Sequence, residues 1–336
     1  MVRIGILGAT GYTALVLLQL LLRHPKVVVS VLGSRRDDAV SVPEIHPSLA
    51  GLLDVPVRNE TPESMQGRVD CVFCCLPHAA AATAVKELIE RDIPVVDLSA
   101  DFRLWDAKTY AQWYDVHPCN EYLGKIPYGL PELFRDQIVN AKAVANPGCY
   151  PTSAILAVAP LLRAGLIKRN GLIFDSKSGV SGAGRSPTLT TLFPECNESI
   201  AAYKVGEHRH TPEIAQILRY VARADVDIVF TPHLVPMDRG ILTTSYARPV
   251  RPLKPDDVMQ ALDEMYRDEL FVRVSERLPA TKHTIGTNYC DITARVVGDY
   301  VIVISCLDNL VKGASGAAIQ NMNLMFGWEE SLGLKP

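Results

Sequence analysis

Two short stretches carry residue types capable of covalent chemistry. From Asn146 the chain reads N-P-G-C-Y-P-T, which sets one cysteine, Cys149, between a Pro-Gly turn and a Tyr-Pro step. An A-V-A-N strand end precedes it, and T-S-A-I-L-A-V-A-P-L-L follows as a helix opening near Pro151. Proline suits a first helical turn, where its missing N–H costs nothing. The thiol therefore stands near a helix N-terminus, where the dipole and free N–H groups favour thiolate and so a nucleophile. The second stretch, G-E-H-R-H-T-P-E-I over residues 206–214, offers the acid/base partners His208 and His210. With Thr211 as N-cap and Pro212 as first helical residue, both histidines precede a helix. If extended there, they share one face. Two histidines on one face could also hold a metal, but no third ligand is evident, so no metal is expected. Cys71, Cys74, Cys75 and Cys306 lie in apolar runs and read as small buried residues.

A different chemistry is encoded at the start of the chain. G-A-T-G-Y-T-A (Gly8 to Ala14) follows an apolar strand and opens a helix. Such a turn lets backbone approach a pyrophosphate and aims a helix N-terminus at it. Gly8, Thr10, Gly11, Tyr12 and Thr13 are the candidate cofactor contacts. The next strand ends in Gly33-Ser34-Arg35-Arg36 rather than in the acid that holds NAD ribose hydroxyls. A hydroxyl and two guanidiniums, Ser34, Arg35 and Arg36, suit a 2′-phosphate, so NADP(H) is expected. A second glycine-rich loop, S-G-V-S-G-A-G-R from Ser178, also follows a strand and could cradle phosphates through its amides.

The elements that must position these residues fall into two kinds. Val2 to Leu7, Val27 to Leu32, Cys71 to Leu76 and Pro94 to Ser99 are apolar runs alternating with helical patterns. Strands apolar on both faces between helices mean a parallel, doubly covered sheet of the Rossmann type. In the second half, segments at 172–175, 227–231, 241–247, 271–274, 289–297 and 300–306 are strand-like, several joined by turns alone. That is an α+β, largely antiparallel-sheet domain, of a kind that often supports subunit contacts. The fold class is therefore α/β with an added α+β domain. A length of 336 residues accommodates two such cores, and a net charge of −3 without a basic run excludes a nucleic-acid or anionic-membrane role. No stretch suits a signal peptide or a membrane span. Eight scattered cysteines without a framework spacing imply free thiols in a cytoplasmic, reducing setting.

Taken together, these motifs resemble the N-acetyl-γ-glutamyl-phosphate reductase family of arginine biosynthesis. The resemblance also rests on D-L-S-A-D-F-R-L at Asp97, Y-G-L-P-E-L at Tyr128 and K-G-A-S-G-A-A-I-Q-N-M-N at Lys312, in the family's order along the whole chain. It implies NADPH-dependent reduction of an acyl phosphate to an aldehyde. Cys149 would form a thioester, and His208 or His210 would handle the proton. Arg103 would clamp the leaving phosphate and Glu213 would contact substrate. Ser181 and Gly182 would help bind cofactor, and Asn309 would touch the nicotinamide side. The implied division is a discontinuous nucleotide domain, 1–148 with 313–336, and a catalytic domain, 149–312. The partners expected are a small-molecule acyl phosphate and further copies of the chain, as homodimer or homotetramer. Three alternatives remain open on the sequence: a lysine-pathway reductase of a one-carbon-longer acyl phosphate, carrier-bound or free; aspartate-semialdehyde dehydrogenase; and a non-catalytic NADP sensor. The last expects a degraded thiol motif, whereas Cys149 and both histidines are present.

Overall fold

The computed structural model describes residues 1–35 and 38–335. The chain divides into two compact units, Met1–Pro147 with Ala314–Pro336, and Gly148–Gly313.

In the first unit six strands, β1 (Val2–Leu7), β2 (Val27–Ser34), β3 (Val57–Asn59), β4 (Cys71–Cys74), β5 (Val95–Asp97) and β6 (Ala143–Ala145), form one sheet. Its order is β3-β2-β1-β4-β5-β6, and every pairing is parallel. The order reverses between β1 and β4, and ligands of open α/β sheets bind outside the strand ends at such a point. β4 is buried at all four positions, as a strand covered on both faces must be. Its Val72 and Cys74 pack with Val85 and Leu88 of the helix Ala80–Glu90. The final helix, Gly316–Met325, is buried at every residue within this unit, with Asn321 donating to Gly129 O and to Asn146 Oδ1.

The second unit holds a seven-stranded sheet of β7 (Leu172–Ser178), β8 (Ala201–Ala202), β9 (Ile228–Leu234), β10 (Ile241–Ala247), β11 (Val272–Val274), β12 (Cys290–Val297) and β13 (Tyr300–Leu307). The order is β11-β12-β13-β10-β7-β9-β8; β7–β9 and β11–β12 are parallel and the other pairings antiparallel. β10 alternates buried and half-buried residues, so one face is packed by helices and the other stays partly open. On the open face Ile173, Asp175, Thr231, His233, Tyr246, Val297, Tyr300 and Ile302 line a shallow hollow.

The helix that carries the thiol, Cys149–Arg163, is buried from Tyr150 to Leu162. Two devices fix it to its surroundings. Ser153, Ser176, Thr243 and Ser305 share a buried hydroxyl network with oxygen separations of 2.8–2.9 Å, tying the helix to β7, β10 and β13. Pro160 cannot donate to the carbonyl of Leu156 one turn earlier, and the Tyr266 hydroxyl takes that place at 2.7 Å. A buried carbonyl that proline would have orphaned is thus satisfied by a side chain.

Candidate active site

The helix begins at Cys149 itself, with Gly148 as N-cap, rather than at Pro151. Gly148 fills the cap with extended backbone (φ −72°, ψ 155°), and its carbonyl accepts from both the amide and the hydroxyl of Thr152. Cys149 is therefore the first helical residue and is partly exposed, so the thiol sits at the positive end of the dipole. Behind it lies Gly313: a Cβ there would stand 2.8 Å from the Cβ of Cys149. Gly313 belongs to a π-helical turn, Val311–Ser315, an irregularity frequent at functional sites.

The two histidines are brought together in a manner the extended reading did not anticipate. His210 is the first residue of the helix His210–Ala222, and only His208 precedes it. Thr211 donates from its amide to His208 O at 2.9 Å, and the His210 amide donates to His208 Nδ1 at 3.1 Å. These turn bonds replace an extended strand, and the rings meet with centroids 4.8 Å apart because the backbone coils. The imidazole of His208 is walled by Tyr150 (5.6 Å), Tyr203 (5.5 Å) and Phe230 (5.3 Å), and Tyr203 donates its hydroxyl proton to the Tyr150 oxygen at 3.1 Å. Burial among these rings pushes His208 down to about 3, with the neighbouring His210 and Lys204 adding to the effect. Burial likewise raises Tyr150, and raises Tyr203 to about 12, so both phenols stay protonated near neutral pH. Tyr150 also faces His210 at 5.9 Å, which joins the residue after the thiol to both histidines.

Glu213, three residues along the same helix, is 1% exposed and accepts the Gly148 amide proton at 2.8 Å. The carboxylate thereby locks the turn that presents the thiol to the helix that presents His210. Nothing in the spacing of the sequence marks this bond, nor the Tyr203 and Phe230 walls; only Tyr150 lies beside a residue singled out for its chemistry.

The second glycine loop and Asn309 are also joined. Ser181 Oγ accepts from Asn309 Nδ2 at 3.1 Å and donates to Asp238 O at 2.6 Å. A side chain on Gly182 would point at Ser178 Oγ and Asn309 Nδ2. Asn309 Oδ1 accepts from the Gly240 amide, so this corner is stitched to the β9–β10 turn.

In the first unit, Gly8 has φ +85°, and a Cβ there would lie 2.5 Å from the carbonyl of Cys75 after β4. Only glycine permits that approach at the switch point. His46 Nε2 lies 2.8 Å from Ala9 O and braces the turn, a contact without a sequence signal. The helix Tyr12–Leu21 has Gly11 as N-cap with no side-chain cap, and the space where a Gly11 side chain would point is open. Gly8, Thr10, Gly11, Tyr12 and Thr13 are half-buried, while Ala14 is fully buried against the sheet. The open, uncapped amides and bare glycine fit a pyrophosphate. Ser34 closes β2 at 8% exposure and Arg35 is exposed; Arg36 lies outside the described residues. Arg103 is 7% exposed, with Nε donating to Asn146 O at 2.7 Å and Nη2 to Leu98 O at 2.8 Å. Nearby Asp97 is driven up to about 7 by burial, with Asp101 reinforcing the shift. Among the described residues no group of three or more His, Cys, Asp or Glu side chains could hold a metal, and no helix is long and apolar enough to cross a membrane.

Residues 3–141 match the semialdehyde dehydrogenase NAD binding domain, and residues 149–309 the semialdehyde dehydrogenase dimerisation domain. Fold and site therefore define an oxidoreductase of the semialdehyde dehydrogenase class, served by a nicotinamide cofactor. Among solved structures, aspartate semialdehyde dehydrogenase II of Vibrio cholerae has the same fold, with a TM-score of 0.74 at 17% identity over 97% of this chain and 98% of that one. The NADP-bound aspartate semialdehyde dehydrogenase of Candida albicans gives 0.72 at 18% identity, over 97% and 98%. The N-acetyl-gamma-glutamyl-phosphate reductase of Rhodopirellula baltica is 51% identical over 99% of this chain and 98% of its own length, and that of Desulfotalea psychrophila 47% over 100% and 98%. The chain belongs to the N-acetyl-gamma-glutamyl-phosphate reductase family.

Proposed function

We propose that the protein reduces N-acetyl-L-glutamyl 5-phosphate to N-acetyl-L-glutamate 5-semialdehyde with NADPH, in arginine biosynthesis. The observation that carries the reading is the partly exposed Cys149 at the first position of its helix, with Glu213 holding the Gly148 amide before it and Tyr150 after it facing both histidines. Cys149 attacks the acyl carbonyl as thiolate, the C–O bond to phosphate breaks, and a thioester forms. The proton given up by the thiol leaves with the phosphate oxygen. When bound, the nicotinamide would supply the hydride that reduces the thioester carbonyl. The resulting thiohemiacetal alkoxide collapses, breaking the C–S bond, to free aldehyde and the Cys149 thiolate. A thioester is less resonance-stabilised than an oxygen ester, which is why a thiol is required.

Of the two histidines we assign the proton transfer to His210. His208 accepts the His210 amide proton at Nδ1, which places its own proton on Nε2. Taking a second proton would cost that bond inside a box of rings, so His208 acts as a neutral strut. Arg103 is proposed to hold the leaving phosphate. Glu213 is proposed to serve the substrate through the turn it locks. Gly8, Thr10, Gly11, Tyr12 and Thr13 are proposed to hold the pyrophosphate, with Ser181, Gly182 and Asn309 towards the nicotinamide. Ser34 and Arg35 support the choice of NADP over NAD. The half-open face of the seven-stranded sheet supports assembly as a homodimer or homotetramer, which sedimentation would measure. All eight cysteines are free thiols, which supports a cytoplasmic setting.

The test follows NADPH formation from NADP, phosphate and N-acetylglutamate semialdehyde, beside its one-carbon-longer homologue and aspartate semialdehyde. The reading predicts the highest kcat/KM for the first aldehyde. Preference for the longer aldehyde would move the enzyme to the lysine-type reaction, and no turnover with any of them would overturn the proposal.

A further inference from the structure

Arg239 is a cation for which the chemistry above has no use. It sits in the β9–β10 turn, and that turn is fastened from three sides. Ser181 Oγ and the Ser181 amide both donate to Asp238 O, and the Gly240 amide donates to Asn309 Oδ1. A Cβ on Gly240 (φ +106°) would lie 2.8 Å from Thr281, so a third segment presses on the same turn. A backbone so held fixes where its side chain begins.

The guanidinium is left with little to bind. Among the described residues it makes no hydrogen bond. It has two long ion pairs, 3.9 Å to Asp238, whose carboxylate is 84% exposed, and 3.6 Å to Asp308. Asp308 is fully buried, and its oxygens accept the amides of Leu310, Val311 and Gly286. Asp308 therefore gives Arg239 a negative backing without occupying its donor fork. The Arg239 side chain is itself 23% exposed, so the fork is neither sunk in the core nor free in solvent. A planar fork of five donors in that state is matched to a carboxylate or phosphate.

Its position relative to the thiol follows from contacts. The Asp308 carbonyl and the Cβ of Cys149 both lie within 3.3 Å of the point where a Gly313 side chain would stand. The residue that backs the guanidinium and the residue that carries the nucleophile thus meet at Gly313. An N-acetylglutamyl chain bound at the thiol ends in a carboxylate about 5 Å away, four bonds of about 1.5 Å in zigzag.

We propose that Arg239 is the specificity residue that binds the α-carboxylate of the acyl substrate, backed by Asp308. This rests on the reading of the substrate given above. Arg239→Gln keeps length and polarity and removes the charge. With N-acetylglutamate semialdehyde, kcat/KM falls on the order of 10²-fold, because a charge-assisted pair is lost. With 4-acetamidobutanal, the same aldehyde without its carboxylate, the wild type and the variant turn over within a few-fold of each other. Equal loss on both aldehydes, or a loss that appears in the phosphate KM, overturns the assignment. A second readout needs no turnover. Iodoacetate carries a carboxylate and iodoacetamide does not, so Arg239→Gln lowers the rate of Cys149 alkylation by iodoacetate selectively. An unchanged ratio of the two rates also overturns it. If the wild type itself fails to oxidise N-acetylglutamate semialdehyde, the substrate reading is what has failed, and the alkylation ratio still decides Arg239.

Discussion

The cofactor turn and the thiol site are built from different materials. Around Gly8 the work is done by backbone: a positive φ, a close approach to the Cys75 carbonyl and an uncapped helix start at Gly11. Around Cys149 it is done by side chains: the adjacent Tyr150, and His208, His210, Tyr203, Phe230 and Glu213 gathered from distant segments. Gly313 is the exception, a backbone contribution that lets the thiol settle. A binding site for a pyrophosphate needs N–H groups, and any local turn can supply them. A nucleophile that must change protonation state needs partners of matched acidity, and these come from wherever the fold brings them.

The contrast can be broken at the histidines, where the largest effect is expected. His210→Gln lowers kcat by about 10²–10⁴-fold and removes the acid limb of the pH–rate profile. His208→Gln keeps that limb and costs less, below about 10²-fold, by loosening the turn. The reverse ranking in steady-state kinetics across pH would exchange their roles.

The two glycines sharpen the contrast next. Gly8→Ala places a Cβ 2.5 Å from a carbonyl at φ +85°, so the cofactor KM rises steeply while thiol alkylation keeps its rate. Gly313→Ala does the opposite: overpacking of about 1–3 kcal/mol is felt at Cys149 and in kcat, while cofactor affinity is kept. Binding and alkylation assays on both variants separate the two sites. Matching effects would mean that they are not independent.

A smaller effect concerns acid stability. His208 is held near 3 when folded against about 6.5 when unfolded, so the neutral ring stabilises the fold above the unfolded value. As pH falls from about 6.5 towards 3, that contribution declines by at most about 1.4 kcal/mol per pH unit. Urea melts at pH 7 and pH 5 should show a steeper loss for the wild type than for His208→Gln; identical slopes would place the depression elsewhere. The smallest effect is at Tyr266→Phe, which leaves the Leu156 carbonyl buried and unbonded at Pro160. It costs about 1–3 kcal/mol, read as a drop of a few degrees in Tm with unchanged kcat.

How much of this is legible in the sequence depends on the range of the interaction. The glycine turn, the N-P-G-C-Y-P-T mount and the histidine stretch are local, so residue type and spacing reveal them. β10 is legible to the residue, Ile241–Ala247, because a run of strand-favouring residues, I-L-T-T-S-Y-A, stands between Gly240 and the Arg248-Pro249 step. β3 and β8, of three and two residues, are too short to show a period. The histidine segment reads as extended before Thr211, yet it coils, because the amides of Thr211 and His210 find acceptors within His208. Glu213 reads as a substrate contact, while its observed bond runs to Gly148, 65 residues away in the chain. Tyr203, Phe230, His46 and Arg239 enter their sites through tertiary contacts that no spacing encodes.

The central claim is that the acyl group passes through Cys149. Mixing the enzyme with N-acetylglutamate semialdehyde and NADP, without phosphate, tests it most directly. The account predicts a burst of one NADPH per Cys149, an acyl adduct on Cys149 by peptide mass spectrometry, release on adding phosphate, and none of these in Cys149→Ser. Turnover without a burst or adduct, or a burst that survives in Cys149→Ser, would contradict it.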